Sequence, residues 1–232
     1  MIAPFLNTWF GPESRRKRLC SQVHEGPLKA YLSRPFPRLS ASVLDSEFLV
    51  LDYETTGLAA TREAILSIGY TVIKQGRILM RENGHHLIRI NKAIPKKSVV
   101  IHKITDHRAR SGQPLHRVMP ILLEHMCGRA IVVHYRPIEQ GFTQAASQQL
   151  YGHKLPMLMF DTLAIEKKKR QRLQTPFNPQ QLRLYHLRQH YHLPRYGAHN
   201  ALEDALATAE LFLAQAKFKN RNLDKVKLRD LY

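Results

Sequence analysis

Residues 48–58 of the sequence, Phe-Leu-Val-Leu-Asp-Tyr-Glu-Thr-Thr-Gly-Leu, place two carboxylates directly after a run of four apolar residues. Such a run is typical of a strand that is buried on both faces of a sheet. Because side chains alternate along a strand, Asp52 and Glu54 are expected on one face, at the end of the strand. Paired like charges repel, so a hard divalent cation with oxygen ligands is their natural partner. A chance Asp-x-Glu pattern at a strand end is the alternative explanation of this motif alone.

A second set of polar residues precedes an apolar helical stripe later in the chain. The stripe predicts a helix over residues 200–216, with Asn200 as its N-cap and Glu203 as the capping-box partner. His199 then lies just before the helix, and Asp204 lies in its early turns. A carboxylate at this position can bind a metal, and a histidine, with an ordinary pKa of about 6.5, can take a proton from water. Alternatively, Glu203 and Asp204 only stabilise the helix N-terminus by opposing its dipole.

Together the two segments resemble the DEDDh subgroup of DnaQ-like 3′ to 5′ exonucleases, and the resemblance extends over about residues 46–214. It includes the motif Asp-Tyr-Glu-Thr-Thr-Gly-Leu, the segment 100–105, which is similar to the family's His-Gly-Ile-Thr stretch, and His199 five residues before Asp204. These motifs in this order are much more specific than any one of them alone. The resemblance implies a ribonuclease-H-like α/β fold.

The family pattern also has a carboxylate in the middle of the chain, after a strand that ends in histidine. Here the strand covers residues 130–134 and ends in His134, and the carboxylate is Glu139, where the family has aspartate. Tyr135 and Ile138 replace the family's asparagine and phenylalanine. The longer side chain matters because a displacement of about 1 Å in an active site can cost on the order of a hundredfold in rate. Since a ligand at this position often acts at longer range or through water in a hard-metal site, we expect retained activity with an altered metal preference. Loss of activity is the alternative.

The activity implied by the resemblance is phosphodiester hydrolysis with two Mg²⁺ or Mn²⁺ ions, which such sites hold about 3.5–4 Å apart. Asp52, Glu54 and Asp204 would hold one ion, and the second would lie between Asp52 and the substrate phosphate. Glu139 would complete the metal shell, directly or through water. His199 would activate the attacking water as a general base. The residues that would line the pocket for the 3′-terminal nucleotide are Thr55, Thr56, Gly57, Leu58 and His134.

The charge of the chain predicts the kind of partner that it binds. It carries 36 Lys and Arg against 18 Asp and Glu, a net charge of +18. A field of this sign attracts phosphate backbones or anionic membrane surfaces, and basic residues cluster at 15–18, 167–172 and 217–229. We expect a nucleic-acid partner, with DNA favoured over RNA. No membrane partner is expected, because no apolar run approaches the ~18–20 residues of a membrane span.

Length and cysteine content bound the class of protein. The chain has 232 residues, 44% of them hydrophobic, which is enough for one sizeable domain with an extension. Cys20 and Cys127 are far apart and have no metal-ligand spacing, which argues against a disulfide framework and a zinc ribbon. We therefore expect a reducing, cytoplasmic setting.

The sequence divides into three parts. Residues 1–45 are basic and rich in proline and predict an arm or small helical extension, a candidate site for a protein partner. Residues 46–216 predict the exonuclease domain, and residues 217–232 predict a basic tail. The patterns within the domain indicate a mixed five-stranded sheet flanked by helices. Predicted strands cover residues 48–52, 64–74, 77–89, 130–134 and 157–160, and predicted helices cover 13–23, 115–127, 137–150, 163–173, 180–190 and 200–216.

Two other functions and one further carboxylate complete the sequence predictions. An RNA-directed 3′ exoribonuclease of the same fold is one alternative, because nothing in the sequence identifies recognition of a 2′-hydroxyl. A catalytically weak nucleic-acid-binding scaffold is the other, supported by the substitutions at 135, 138 and 139 and opposed by the four acids and His199. Asp161 is predicted to cap the helix that follows it rather than to bind metal.

Overall fold

The computed structural model describes residues 11–90, 94–95, 98, 100, 102, 104–197 and 200–232. A mixed sheet lies at its centre, and its strands are β1 (Phe48–Thr55), β2 (Ile65–Lys74), β3 (Arg77–Leu87), β4 (Ala130–Val133) and β5 (Met159–Asp161). Their order in the sheet is β3-β2-β1-β4-β5. β2 is antiparallel to both β1 and β3, whereas β1, β4 and β5 are parallel. The predicted five-stranded mixed sheet is confirmed.

Helices precede, connect and follow the strands along the chain. They are α1 (Pro12–Gln22), α2 (Gly26–Ser33), α3 (Asp106–Arg110), α4 (Leu115–Met126), α5 (Pro137–Tyr151), α6 (Thr162–Arg172), α7 (Leu184–His190) and α8 (Ala201–Lys219). Short 3₁₀ helices occur at Pro179–Leu182, Leu223–Lys225 and Leu228–Asp230. Among the helices of these described segments, none is both long and apolar enough to cross a lipid bilayer.

The helix predicted over residues 180–190 is wrong in its first half. Asn178 caps a 3₁₀ helix at Pro179–Leu182, and Arg183 then adopts an extended conformation with φ −64° and ψ 148°. That extended residue separates the 3₁₀ turn from α7. Arg183 and residues of α7, including Tyr185 and Arg188, line a pocket together with Asp52 and Asp204.

The core is built around β1, whose first four residues are all buried. Phe48 packs against Phe212 of α8 and Phe160 of β5, with ring centroids 4.9 and 6.1 Å apart. Burial of such apolar surface is the main favourable contribution to folding, at roughly 25 cal/mol per Å². The contacts of Phe48 fix α8 across the centre of the sheet.

The residues before β1 share this core. Leu19 of α1 and Tyr31 of α2 are buried in the same hydrophobic cluster as β1, and the Tyr31 hydroxyl donates a hydrogen bond to the carbonyl of Pro156 at 2.6 Å. α2 was not predicted, because Pro27 reads as a helix breaker although proline is well tolerated in the first turn of a helix. Both helices of the extension are thus attached to the domain.

The residues after α8 also return to the core. Ser42 forms a β-bridge with Lys227, and the backbone N–H of Val43 donates to the carbonyl of Val226 at 2.9 Å. Leu228 is fully buried. The segments that flank the domain therefore pair with each other beside β1.

Candidate active site

The two carboxylates of the first motif lie within β1, not beyond its end. The strand continues to Thr55, three residues past its predicted end, because pairing with β2 continues to that residue. Its pairing with the parallel strand β4 ends earlier, at Val50. Asp52 and Glu54 therefore occupy the part of β1 that extends past the carboxyl end of β4, where parallel sheets leave space for a ligand.

α8 brings a third carboxylate to this position. The Asn200 side chain accepts hydrogen bonds from the backbone N–H groups of Leu202 and Glu203, as predicted for an N-cap. Gly69 is the cross-strand partner of Asp52, and the first turn of α8 lies directly on it. Because residue 69 has no side chain, the helix approaches β2 closely and places Asp204 beside Asp52.

Asp52, Glu54 and Asp204 form a compact carboxylate group. One oxygen of each lies within 4.8 Å of the others. Burial raises the pKa of Asp52 well above its usual value, and nearby negative charges raise it further. The carboxylates that contribute these charges are Glu139, Asp204 and Glu54.

The burial and hydrogen bonding of these carboxylate oxygens fit the binding of a divalent cation. Glu54 is 4% exposed, and its Oε1 is buried without a hydrogen-bond partner among the described residues. A buried, unpaired carboxylate oxygen beside two further carboxylates is costly unless a positive charge compensates it. Oxygen-only ligands are those that Mg²⁺ and Mn²⁺ prefer. The donor set therefore fits the metal that the family resemblance implies.

Glu139 lies close to the group but outside it. It is 2% exposed in the first turn of α5, and within the described part of the chain its Oε2 has no hydrogen-bond partner. Burial raises its pKa to about 8. A backbone hydrogen bond opposes this rise, and the charges of Asp161 and Glu54 add to it. Its position is consistent with a role at longer range or through water, which stays a prediction.

Asp161 shapes the turn that leads to Glu139. Its Oδ1 accepts hydrogen bonds from the backbone N–H of Leu163 at 2.9 Å and of Tyr135 at 3.0 Å, and its Oδ2 accepts from Arg136 at 3.0 Å. The predicted helix cap is confirmed. The contacts with the turn were not predicted. They hold Tyr135 at a φ of 81°, a left-handed conformation that is uncommon for a residue with a side chain.

His134 follows β4 and lines the same pocket as Asp52 and Asp204. Burial lowers its pKa to about 4, so the ring is neutral near pH 7. His134 Nδ1 lies 2.8 Å from the Thr162 hydroxyl, which also lies 3.2 Å from the carbonyl of Val133. Its Nε2 is buried and has no side-chain hydrogen-bond partner among the residues described.

The pocket extends from the carboxylates to α7 and the loop that follows it, with a volume of about 570 Å³. Tyr185 and Tyr196 are 46% and 41% exposed on its rim. The guanidinium of Arg195 lies over the Tyr185 ring at 5.1 Å, and that of Arg188 lies over the Tyr196 ring at 4.6 Å. Arg183 also lines the pocket. Flat rings and exposed cations beside a carboxylate group suit a substrate with bases and phosphates.

Sequence reasoning missed these rim residues. The available signal was the alternation of arginine and tyrosine between residues 183 and 196. Arg188 itself is committed to the fold, because it is 4% exposed and donates to the carbonyl of Ala207 at 2.7 Å and to the carboxylate of Glu210 at 2.8 Å. These bonds fix α7 against α8, and a further bond from Arg188 to the carbonyl of Pro194 at 2.6 Å holds the loop that carries Tyr196.

The loop after β1 presents one apolar side chain to the solvent. The Thr55 hydroxyl donates to the Gly57 carbonyl at 2.8 Å, and the Thr56 hydroxyl donates to Glu63 Oε2 at 2.5 Å. Both hydroxyls therefore stabilise the loop itself. Leu58 is 81% exposed and remains available to a base. Substrate binding by these residues stays a prediction.

Two histidines complete the predicted motifs. His102, from the segment 100–105, contacts Glu54 Oε2 through its Nδ1 and so helps to fix that carboxylate. His199 lies outside the described residues, as do parts of the segment around His102. The general-base assignment of His199 therefore stays a prediction from the sequence.

Comparisons with known proteins show which family the chain is similar to. A family profile described as Exonuclease matches residues 49–212. The chain is 30% identical over 172 residues to the PolC-type DNA polymerase III of Thermotoga maritima, covering 73% of this chain and 12% of that protein. It is 26% identical over 181 residues to the 3′-5′ exonuclease DinG of Staphylococcus epidermidis, covering 78% and 19%. The chain thus spans only a small part of the length of these curated relatives.

Solved structures show the same fold. E. coli Exonuclease I in complex with a dA16 oligonucleotide superimposes with a TM-score of 0.64 at 18% identity, covering 77% of this chain and 42% of that one. The cell-death related nuclease CRN-4 gives a TM-score of 0.62 at 16% identity, covering 75% and 65%. The predicted ribonuclease-H-like fold is confirmed. With the family match over most of the domain, these findings establish that the chain belongs to the DEDDh exonuclease family.

Proposed function

We propose that the protein is a divalent-cation-dependent exonuclease that removes nucleotides from the 3′ end of single-stranded DNA. The observation that carries the proposal is the group of three carboxylate oxygens within 4.8 Å of one another, at a pocket rimmed by arginines and tyrosines. The name of the DinG relative supports the 3′ to 5′ direction. The PolC relatives and the Exonuclease I complexes with DNA oligonucleotides favour DNA.

Asp52, Glu54 and Asp204 would hold Mg²⁺ or Mn²⁺, and Glu139 would assist directly or through water. The chemistry that two such ions supply is charge neutralisation at the scissile phosphate and a lowered pKa of the attacking water. The three carboxylates would hold the positive charge of these ions at the carboxyl end of the sheet. His102 contributes by fixing Glu54 through its Nδ1 contact.

The chain's own cations and rings bind and orient the strand. Exposed Arg183 and Arg195 line the pocket and would neutralise the substrate's phosphates. The rings of Tyr185 and Tyr196 offer stacking surfaces for bases, which is a sequence-tolerant interaction. Leu58, which is exposed on the loop after β1, would contact the terminal base.

Two histidines have distinct proposed roles. His199, immediately before the N-cap Asn200, would accept the proton of the attacking water. His134 is neutral and would contact the terminal nucleotide through Nε2. A neutral ring here is compatible with burial, whereas a charged imidazolium is disfavoured, as its low pKa indicates.

The experiment that tests the proposal follows 5′-labelled single-stranded DNA and RNA of equal sequence with Mg²⁺, Mn²⁺ or EDTA. We expect a ladder that shortens from the 3′ end with either metal, faster for DNA, and no cleavage in EDTA. Asp52→Asn should abolish the ladder, whereas Asp224→Asn, which changes the same charge at an exposed residue away from the site, should not.

Each contrary outcome has a definite meaning. Faster cleavage of RNA would identify an exoribonuclease of the same fold. Tight binding of both strands without cleavage under either metal would identify a nucleic-acid-binding scaffold. An Asp52→Asn protein that cleaves at the normal rate would show that the carboxylate group is not the active site.

A further inference from the structure

A second cavity lies at the other end of α8, between that helix and α6. Its volume is about 250 Å³, less than the ~300–1,000 Å³ of pockets that enclose a whole drug-sized ligand. Gln215, which lines it, follows Asp204 by eleven residues on α8. At ~1.5 Å per residue, the two side chains are attached about 16 Å apart along the helix axis. The cavity is therefore separate from the active site.

Gln215 supplies a buried acceptor to this cavity. The residue is 2% exposed, and its Nε2 donates to the carbonyl of Thr162 at 2.8 Å. Because a carbonyl only accepts, this bond fixes the orientation of the amide. Oε1 then has no hydrogen-bond partner in the part of the chain that the structure describes. Buried polar atoms are normally paired, so this oxygen points to a ligand with an N–H or O–H group.

The walls of the cavity are apolar and include a flat ring. Phe218 and Leu173 each remain 65% exposed although both line the cavity. The ammonium of Lys169 lies 3.7 Å from the centroid of the Phe218 ring, and this contact holds the ring in place. An exposed, fixed ring beside a small apolar space suits a planar ligand.

Positive charge surrounds the opening. The charged side chains that line the cavity are Lys168, Lys169, Arg172, Lys219 and Asp230. Lys168 Nζ also donates to the carbonyl oxygen of Tyr232 at 2.9 Å. Partial burial lowers the pKa of Lys219, and the charge of Arg172 lowers it further, against an opposing effect of Asp230. An anion at the opening would relieve this repulsion.

We propose that this cavity binds a nucleotide of the substrate strand upstream of the 3′ end, with its base against Phe218 and over Gln215 and its phosphates on Lys168, Arg172 and Lys219. A base supplies the planar ring and the N–H donor, and its phosphate supplies the anion. This inference rests on the proposed function. At the ~3.4 Å rise of a stacked strand, the separation from Asp204 corresponds to about five nucleotides.

The test compares substrates that reach the cavity with one that does not. Phe218→Ala removes an exposed ring, and Gln215→Leu removes the acceptor. A Lys168→Glu, Lys219→Glu double variant reverses two charges at the cavity. The matched control is Lys167→Glu, Lys217→Glu, which makes the same charge change at exposed neighbours that do not line the cavity.

We expect the cavity variants to raise KM for an oligonucleotide of about twenty nucleotides by about tenfold. KM and kcat for a trinucleotide and for the p-nitrophenyl ester of thymidine monophosphate should stay unchanged. The control pair should have a much smaller effect. Binding of the long oligonucleotide in EDTA, measured by fluorescence anisotropy, should weaken by the same factor, and this readout does not depend on hydrolysis.

Three results would overturn the inference. The first is an unchanged affinity for the long oligonucleotide in both the Phe218→Ala and Gln215→Leu proteins, which would leave a protein partner as the occupant. The second is a loss of affinity in the control pair as large as in the cavity double variant, which would show that only the general charge of the surface matters. The third is a KM for the trinucleotide that rises in the cavity variants as much as the KM for the long oligonucleotide. Failure of the proposed function is distinguishable, because it would appear as no hydrolysis of any substrate by the unaltered protein.

Discussion

Gly69 of β2 and Ala201 of α8 are in backbone contact, so closely that a Cβ atom at residue 69 would lie 2.0 Å from the Ala201 carbonyl carbon. Gly69 also lies directly opposite Asp52 in the sheet. The absence of one side chain therefore determines how closely α8, and with it Asp204, approaches the carboxylates of β1. The position of the third carboxylate therefore depends on a residue that carries no functional group.

Gly69→Ala should therefore damage both stability and activity. Because the contact is with backbone, the helix must move away from the sheet, and overpacking of this kind costs about 1–3 kcal/mol. A displacement of Asp204 by about 1 Å should lower kcat on the order of a hundredfold. Urea denaturation and single-stranded DNA hydrolysis measure the two effects. Ala201→Gly in the same chain should not rescue activity, since the clash does not involve the Ala201 side chain.

A matched control is available in α5. A Cβ atom at Gly141 would meet only the Ala60 side chain, at 3.3 Å, so Gly141→Ala should cost little and should retain hydrolysis. If Gly69→Ala were as active as Gly141→Ala, the close approach of α8 would not be what positions Asp204.

Glu139 should make the metal-free protein less stable as the pH rises. Its pKa is raised to about 8 in the folded state, against about 4.3 for an unperturbed glutamate, so between these values the folded state binds the extra proton. Stability is then lost with rising pH, by up to about 1.4 kcal/mol per pH unit for one group. His134, with a folded pKa of about 4, has the opposite effect below pH ~6.5. The window from about 6.5 to 8 therefore excludes the effect of His134 and leaves that of the buried carboxyl groups.

The measurement is urea denaturation in EDTA across that window, with Glu139→Gln as the comparison. The substitution should flatten the pH dependence and raise the free energy of unfolding near pH 8. The raised pKa of Asp52 acts in the same direction and should leave a smaller slope. An identical slope in both proteins would show that Glu139 is not the group that titrates.

Much of the fold and part of the site could be predicted because local patterns report them directly. The apolar run 48–51 indicated the buried strand, and alternation correctly placed Asp52 and Glu54 together. The Asn200 cap placed Asp204 in an early turn of α8. Each of these inferences uses only residues that are neighbours in sequence.

The remaining features depend on contacts between distant segments. Tyr185 and Tyr196 become a pocket rim only because Arg188 ties α7 to α8 and holds the loop of Tyr196 through Pro194. The second role of Asp161 requires β5 to lie beside the end of β4. Likewise, Gln215 Oε1 has no partner among the described residues because the amide group donates to the carbonyl of Thr162 instead. Periodicity and capping rules do not report such pairings.

Divalent metal should stabilise the folded protein through the carboxylate group. A ligand that binds only the folded state stabilises it by about 2.7 kcal/mol at a hundred times its dissociation constant, so millimolar Mn²⁺ should raise the melting temperature. Asp52→Asn and Asp204→Asn should each remove most of this increase, whereas Asp224→Asn should retain it. In EDTA the melting temperatures of the variants should not fall below that of the unaltered protein. That of Asp52→Asn should be equal or higher, because one of several carboxylates that repel each other has been removed. An equal Mn²⁺ response in all three variants would place the metal elsewhere.

Asp161 should support catalysis through the turn that it holds. Asp161→Ala removes the helix cap, which costs about 0.5–2 kcal/mol, and it also releases the left-handed Tyr135 and the start of α5, which carries Glu139. We expect kcat to fall about tenfold or more, with little change in KM for a short oligonucleotide.

Asn178→Ala is the matched control, because Asn178 caps the 3₁₀ helix at Pro179–Leu182 and its side chain bonds to that helix. Asp161→Asn retains an oxygen acceptor and should recover part of the activity. If Asp161→Ala and Asn178→Ala lowered the free energy of unfolding equally and both lowered kcat only slightly, Asp161 would serve only to cap its helix and would not support catalysis.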